Sequence, residues 1–263
     1  MRMLCESSGI RAISRITGLH QETVLKILKI SGNLSTHFMD EKIKNLKCEV
    51  IQADELHTIV HAKQWNVNPK HTHLGNQYTF LAVDAKTRFL IGSSTGQRTV
   101  ENAEKFLRQI KSRVVGRFQL NTDCWLAYSG RRGNAIKRVF GKDIDHATEM
   151  KHFWKKGDFI SRSLAKTERK AHIGNPDLNR GSTSYIERTN LTLRNLSRRF
   201  TRSTLGFSRK LLNLRFAVSL FMWSFNFAKK HSTLNTSPAI AIGICSDIMS
   251  VFDLWNYWGA GTI

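Results

Sequence analysis

The order of strand-like and helix-like runs between residues 48 and 147 limits this chain most. β-prone runs at 48–53 and 58–64 are followed by two more at 78–85 and 88–93, joined by a tight turn at Lys86 and Thr87. A helical pattern then covers 100–114, with Ala103, Phe106, Leu107 and Ile110 on one face. A strand at 118–122, a helix at 133–140 and a strand at 144–147 complete the series. Strands interleaved with helices in this way predict an α/β fold around a mixed sheet. Residues 150–182 are polar, basic and weakly patterned. Helices are expected at 184–200 and 208–230, and an apolar, irregular end from 236.

Upstream, residues 9–29 carry Ile10, Ile13 and Ile16 at helical spacing, then Gly18, then a second pattern with Leu19, Val24, Ile27 and Leu28. Glycine accepts the positive φ of a sharp inter-helix turn. The layout is that of a helix-turn-helix, whose second helix enters a major groove. Gln21, Thr23 and Lys26 are its candidate DNA contacts. Residues 31–47 read as a connector. The division expected is 1–47 as the helix-turn-helix segment with its connector, 48–245 as the catalytic domain and 246–263 as a C-terminal tail.

Charge narrows the partner. Forty-one Lys and Arg stand against 20 Asp and Glu, a net charge of +21 over 263 residues. Such an excess favours a polyanion, because contacts to phosphates release counterions. Residues 188–215 hold eight Lys or Arg and no acid. Arg188, Arg194, Arg198, Arg199 and Arg202, with Asn190, are the candidate phosphate contacts there. Trp125, Tyr128, Trp154 and Tyr185 are candidates for stacking on unpaired bases.

Three acids stand out in this basic chain: Asp54 in IQADEL, Asp123 in LNTDCW and Glu187 in YIERTN. The first two close strand-like runs and the third lies in a helical run, so a sheet with a helix packed on it can gather all three. Carboxylates suit Mg²⁺, which prefers oxygen ligands, and two such ions support phosphodiester chemistry. Asn190 and Arg194 follow Glu187 on the same helical face, placed to hold phosphate or water. Asp84 competes for a place in the site, or else forms a turn. Strand alternation points Glu55 away from Asp54. Asp143 and Asp145 are weaker candidates. His71 and His73 form an HxH pair in a turn-rich loop and read as solvated, and His57 and His61 have no nearby acid to complete a site.

Cys5, Cys48, Cys124 and Cys245 form no CxxC pair, which speaks against a zinc ribbon and for reduced thiols in the cytoplasm. The start of the chain has no signal-peptide pattern. The most apolar run, 211–230, is interrupted by Asn213, Arg215 and Asn226, so a buried helix is expected rather than a membrane span.

The helix-turn-helix, the QADEL and NTDCW acids and the stretch TSYIERTNLTLRNLSRRFTRSTLGFS together resemble the DDE transposases of prokaryotic insertion sequences, the insertion-sequence-1 family above all. HSTLNTSPAIAIGI is similar to a segment that closes many such proteins. The resemblance implies a ribonuclease H-like core flanked by the N-terminal helix-turn-helix and C-terminal helices. It implies that Asp54, Asp123 and Glu187 bind two Mg²⁺ or Mn²⁺ ions. The reaction implied is cleavage at the element's ends, then attack of the freed 3′-hydroxyl on target DNA. Double-stranded DNA, both element ends and target, is the expected partner, and the protein is expected to be a homo-oligomer on it. Related proteins often carry a cysteine zinc motif ahead of the helix-turn-helix, and Cys5 has no partner for one. Two other readings are a non-catalytic DNA-binding regulator and a related metal-dependent DNA nuclease.

Overall fold

The computed structural model describes residues 1–130, 134–156, 159–201 and 205–259, without the side chains of 155–162 and 258–259. Six strands form one sheet: β1 (Val50–Val60), β2 (Gly75–Asp84), β3 (Leu90–Gly96), β4 (Gln119–Thr122), β5 (Asp145–Lys156) and β6 (Phe159–Ile173). Their order across the sheet is β3-β2-β1-β4-β5-β6. β1, β2 and β3 pair antiparallel as a meander, while β1–β4 and β4–β5 pair parallel and β5–β6 antiparallel. Parallel neighbours need helical crossovers. Here α4 (Val100–Arg113) leads from β3 to β4, and α5 (Leu126–Ser129) and α6 (Ala135–Phe140) lead from β4 to β5. The meander with two parallel additions is the ribonuclease H-like arrangement, and the chain has that fold.

The sheet is preceded by α1 (Arg2–Cys5), α2 (Ile10–Thr17) and α3 (Gln21–Lys42). Gly18 ends α2 at φ 73°, the left-handed cap expected of glycine there. Ile13 of α2 is buried, but Ile16 is 71% exposed. The stretch from 31, expected as a connector, is the second half of α3. Its Ser31, Gly32, Ser35 and Phe38 are buried, facing α8 (Leu211–Trp223). Small residues there permit close approach of the two helices: a Cβ on Gly32 would lie 2.5 Å from the Phe216 Cβ.

The apolar run Leu211–Ala228 is long enough to span a membrane by composition, yet most of it is buried inside the protein. It runs through α8 into a π-helical turn, Ser224–Ala228. In that turn the buried Asn226 accepts from the Leu90 amide at 2.8 Å and donates to the Leu90 carbonyl at 2.9 Å. The β3 edge is thereby satisfied by a side chain in place of a further strand. The chain ends in α9 (Pro238–Ala241) and α10 (Val251–Gly259), whose Tyr257 ring meets Phe38 edge-on at 5.0 Å. The tail is thus partly a helix docked on α3.

Two further differences bear on the site. The runs at 48–53 and 58–64 are one strand, β1, so Asp54 lies mid-strand. The weakly patterned stretch 150–182 is mostly a hairpin. β5 pairs with β4 only as far as Thr148, then continues with β6 alone as a two-stranded ribbon beyond the sheet. With no layer covering it, its sequence carries no alternation of apolar and polar residues. Met150, Phe153, Trp154 and Leu164 are exposed along it.

Candidate active site

The last long element before the C-terminal helices, α7 (Ser184–Leu196), is held on the sheet by buried polar side chains. Gln52 of β1 accepts from the Tyr185 and Ile186 amides at 2.8 and 3.1 Å. Glu149 of β5 accepts from the Thr183 amide and hydroxyl at 2.9 and 2.8 Å and is clamped by Arg169. Asn121 of β4 donates to the Arg180 and Ser182 carbonyls. The unpaired donors of a helix start are thus met from neighbouring strands, and the register of Glu187 over the sheet is fixed.

The pleat of β1 sends Asp54 toward α7 and Glu55 toward α5. The Asn190 amide nitrogen donates to Asp54 Oδ2 at 2.8 Å. Glu55 faces Arg98 at 2.9 Å and the buried Tyr128. Asp123 follows directly on β4, the parallel neighbour of β1, and its Oδ1 accepts from the Trp125 amide at 2.9 Å. At the strand end it is reachable from both faces. One carboxylate oxygen each of Asp54, Glu55 and Asp123 lies within 4.8 Å of the others.

Glu55 takes the opposite face from Asp54, as strand alternation predicts, yet one of its oxygens lies within 4.8 Å of those of Asp54 and Asp123. The adjacent pair Asp-Glu at the centre of an apolar strand was the signal available, since a buried strand has no other reason to carry two acids.

Glu187 stands beside this cluster on α7. Lys151 of β5 donates to both of its oxygens, at 2.5 and 2.6 Å, and Thr183 Oγ1, its proton directed at Glu149, lies 2.9 Å from one of them. Its charge still acts on Asp54. Burial pushes the Asp54 carboxyl up to about 6, and the negative charges of Asp123 and Glu187 add to this against the Asn190 hydrogen bond. Burial and then Asp123 push Glu55 up to about 7, against the pull of Arg98. Both shifts report a pocket short of positive charge. Arg98 supplies one cation. It reaches Asp123 at 3.4 Å as well as Glu55, and stacks on Trp125 at 4.5 Å.

The other sequence candidates divide. Gln21, Thr23 and Lys26 are exposed on the first turns of α3, and Arg188 and Arg198 are exposed on and after α7. Arg194 is half-buried. Asn190 is buried, with its amide on Asp54 in place of the phosphate or water expected of it. Arg199 turns inward: its guanidinium donates to Ser208 Oγ at 2.7 Å, where burial lowers its pKa. It ties the segment after α7 to Ser208, just ahead of α8. Arg202 lies outside the described residues. Tyr128 is fully buried and stacks on no base, whereas Trp154 and Tyr185 are exposed.

Asp84 is the turn-former and not a ligand. It is buried, and its Oδ2 accepts from the Thr87 amide and hydroxyl at 2.8 and 2.6 Å. Asp145 is held by Arg117 at 2.7 Å. His71 and His73 are exposed in their loop.

The donor set suits a hard divalent cation, being all carboxylate and amide oxygen. Asn190 Oδ1 is buried there without a hydrogen-bond partner among the described residues, whereas Glu55 has the Tyr128 hydroxyl as a neighbour. A buried oxygen without a partner costs free energy that a ligated cation would offset.

No protein-family model and no curated protein matches the chain. Among solved structures it is similar to the simian T-cell lymphotropic virus intasome in complex with the PP2A regulatory subunit B56 gamma. The identity is 14%, over 76% of this chain and 56% of that one, with a TM-score of 0.45. It is also similar to the HTLV-2 integrase catalytic core domain in complex with magnesium in a trimeric form, at 16% identity over 75% of this chain and 98% of that one, TM-score 0.41. This chain therefore spans little more than half the length of the intasome chain.

Proposed function

We propose that the chain is a metal-dependent DDE-type polynucleotidyl transferase, and within that class a transposase of prokaryotic insertion sequences. The observation that carries the reading is the meeting of Asp54, Glu55 and Asp123 oxygens within 4.8 Å in a chain of net charge +21. Asp54 and Asp123, with Glu55 and Glu187 at either side, would hold two Mg²⁺ or Mn²⁺ ions. Bound there, the ions would supply charge neutralisation to the attacking and leaving oxygens of a phosphodiester.

The chain's own residues do the positioning. Asn190 fixes the Asp54 carboxylate from the α7 side, the Trp125 amide fixes Asp123, and Arg98 offsets part of the charge of Glu55. Lys151, which donates to both Glu187 oxygens, would have to give way for that carboxylate to hold an ion. The chemistry proposed is the making of a bond from a water oxygen to phosphorus with loss of the bond to the 3′ oxygen. The freed 3′-hydroxyl then attacks a phosphodiester of the target, displacing one of its oxygens. Exposed Arg198 holds a phosphate beyond the end of α7, and Gln21, Thr23 and Lys26 lie on the element-end duplex.

The test is cleavage and strand transfer on element-end DNA with Mg²⁺. Asp123→Asn is expected to bind DNA as the parent does and to lose activity beyond the roughly 10–100-fold typical of losing an outer partner of a ligand. Full strand transfer by Asp123→Asn overturns the assignment. DNA binding that ignores EDTA, with no nicking at any metal concentration, would favour a regulator instead.

A further inference from the structure

The face of α7 turned away from the acids borders a second cleft, of about 430 Å³. Arg88, Arg188, Lys229 and Lys230 line it, with Tyr185 and Thr192, and no Asp or Glu is among its lining residues. Arg88 enters from the β2–β3 turn at φ 61°, a backbone region disfavoured for a side-chain-bearing residue. The turn is fastened by Asp84, whose carbonyl accepts from the Arg88 amide at 2.9 Å. The Arg88 guanidinium lies flat on Tyr185, 3.2 Å from the ring centroid. Its Nη1 is buried with no hydrogen-bond partner among the described residues. Lys229 is paired with Glu6 at 2.9 Å, while Arg188 and Lys230 are exposed. The crowding of cations is felt by His231 in the same wall: burial lowers its pKa, and Lys229 and Arg88 lower it further.

We propose that this cleft binds the sugar-phosphate backbone of a nucleic-acid strand, along a path separate from the one that enters the acidic site. A strand fits better than a free anion because the cleft follows α7 from Tyr185 to Leu196. At 1.5 Å per residue that is about 16 Å, room for several phosphates spaced about 3.4 Å along the axis. The orphaned Arg88 nitrogen and the Arg188 and Lys230 charges are the donors, the Thr192 hydroxyl being spent on the Arg188 carbonyl at 3.0 Å. α7 then parts two nucleic-acid segments, with 187 and 190 facing the acids and 185, 188 and 192 facing the second segment. The proposal takes the identity of the polyanion from the functional reading above.

The experiment is fluorescence anisotropy of labelled duplex and single-stranded DNA in EDTA, titrated with salt from 50 to 200 mM. The parent is compared with Arg188→Ala/Lys230→Ala, with Arg88→Gln, and with Lys105→Ala as a single-charge control on α4. The double variant is expected to flatten the slope of log K against log salt by about two, near 0.9 for each phosphate no longer neutralised. Lys105→Ala is expected to leave it unchanged. Equal slopes for parent and double variant overturn the proposal. So does ³¹P NMR binding of inorganic phosphate that needs Arg88 while the DNA slope stays at the parent value. Arg188 and Lys230 are exposed, so the double variant keeps the test valid if Arg88→Gln does not fold. EDTA blocks cleavage, so failure of the catalytic reading leaves this result standing, and the reverse also holds.

Discussion

Replacing Glu55 by Gln is expected to stabilise the metal-free protein at alkaline pH and to do nothing at acid pH. The carboxyl titrates near 7 in the fold against 4.5 ordinarily, and its side chain is 2% exposed. Below about pH 4.5 it is protonated whether the chain is folded or unfolded, and costs nothing. Between about 4.5 and 7 the folded chain keeps a proton that the unfolded chain has lost, so stability falls as pH rises. Above about 7 the whole cost is present. A difference of about 2.5 pH units, at about 1.36 kcal/mol each, is about 3 kcal/mol. The pull of Arg98 is already included, since it acts on the same carboxylate. Glutamine keeps the shape and carries no charge, so Glu55→Gln at pH 8.5 in EDTA should gain about 3 kcal/mol. For a chain of this size that is roughly 6–12 °C in Tm. The assay is thermal unfolding followed by circular dichroism, parent against variant, at pH 4.5 and 8.5. Adding Mg²⁺ at pH 8.5 should close the gap by stabilising the parent. A variant less stable than the parent at pH 8.5, or an equal gap at both pH values, would refute the account of a self-repelling acidic pocket.

Asn190→Ala should weaken Mg²⁺ dependence roughly 10–100-fold, seen as a shifted metal midpoint for cleavage, because it frees the Asp54 carboxylate from its 2.8 Å partner. Gly32→Ala should destabilise by about 1–3 kcal/mol in urea unfolding, because the new methyl meets Phe216 backbone and Cβ at 2.6 and 2.5 Å, leaving no flexible group to move aside. Asn226→Ala should cost about 2–4 kcal/mol by the same assay, since both the amide and the carbonyl of Leu90 lose their buried partner.

The central sheet was legible because its strands and α4 carry simple signals: an unbroken apolar run, Phe80–Val83, in β2 and apolar residues at 103, 106, 107 and 110 in α4. What escaped did so for physical reasons. β1 read as two pieces because Asp54 and Glu55 interrupt its apolar pattern. The β5–β6 ribbon beyond Thr148 scatters its apolar residues, Met150, Phe153, Trp154 and Leu164, without a period of two, so no alternation marked it. Ser31, Gly32 and Ser35 looked like loop residues, but their smallness serves the close approach of α3 to Phe216. The nearness of Asp54 to Asp123 follows from the parallel pairing of β1 and β4, and no local window contains that. Glu55 was set aside because alternation says which face a side chain takes but not that a strand end can serve both faces. The inward turn of Arg199 depends on Ser208, nine residues on, and a charge count cannot distinguish it from the exposed Arg198.

The continuity of α3 has a mechanical meaning. Its first turn, with Gln21, Thr23 and Lys26, is solvent-facing, and its second half is embedded against α8. Twenty-two residues without a hinge make a rod about 33 Å long. The outer end is therefore held at a set distance and bearing from the acids, as the jaw of a calliper is. Inserting two residues mid-rod would lengthen it by about 3 Å and swing the gripping end through about 200°, a misalignment that no loop is present to absorb.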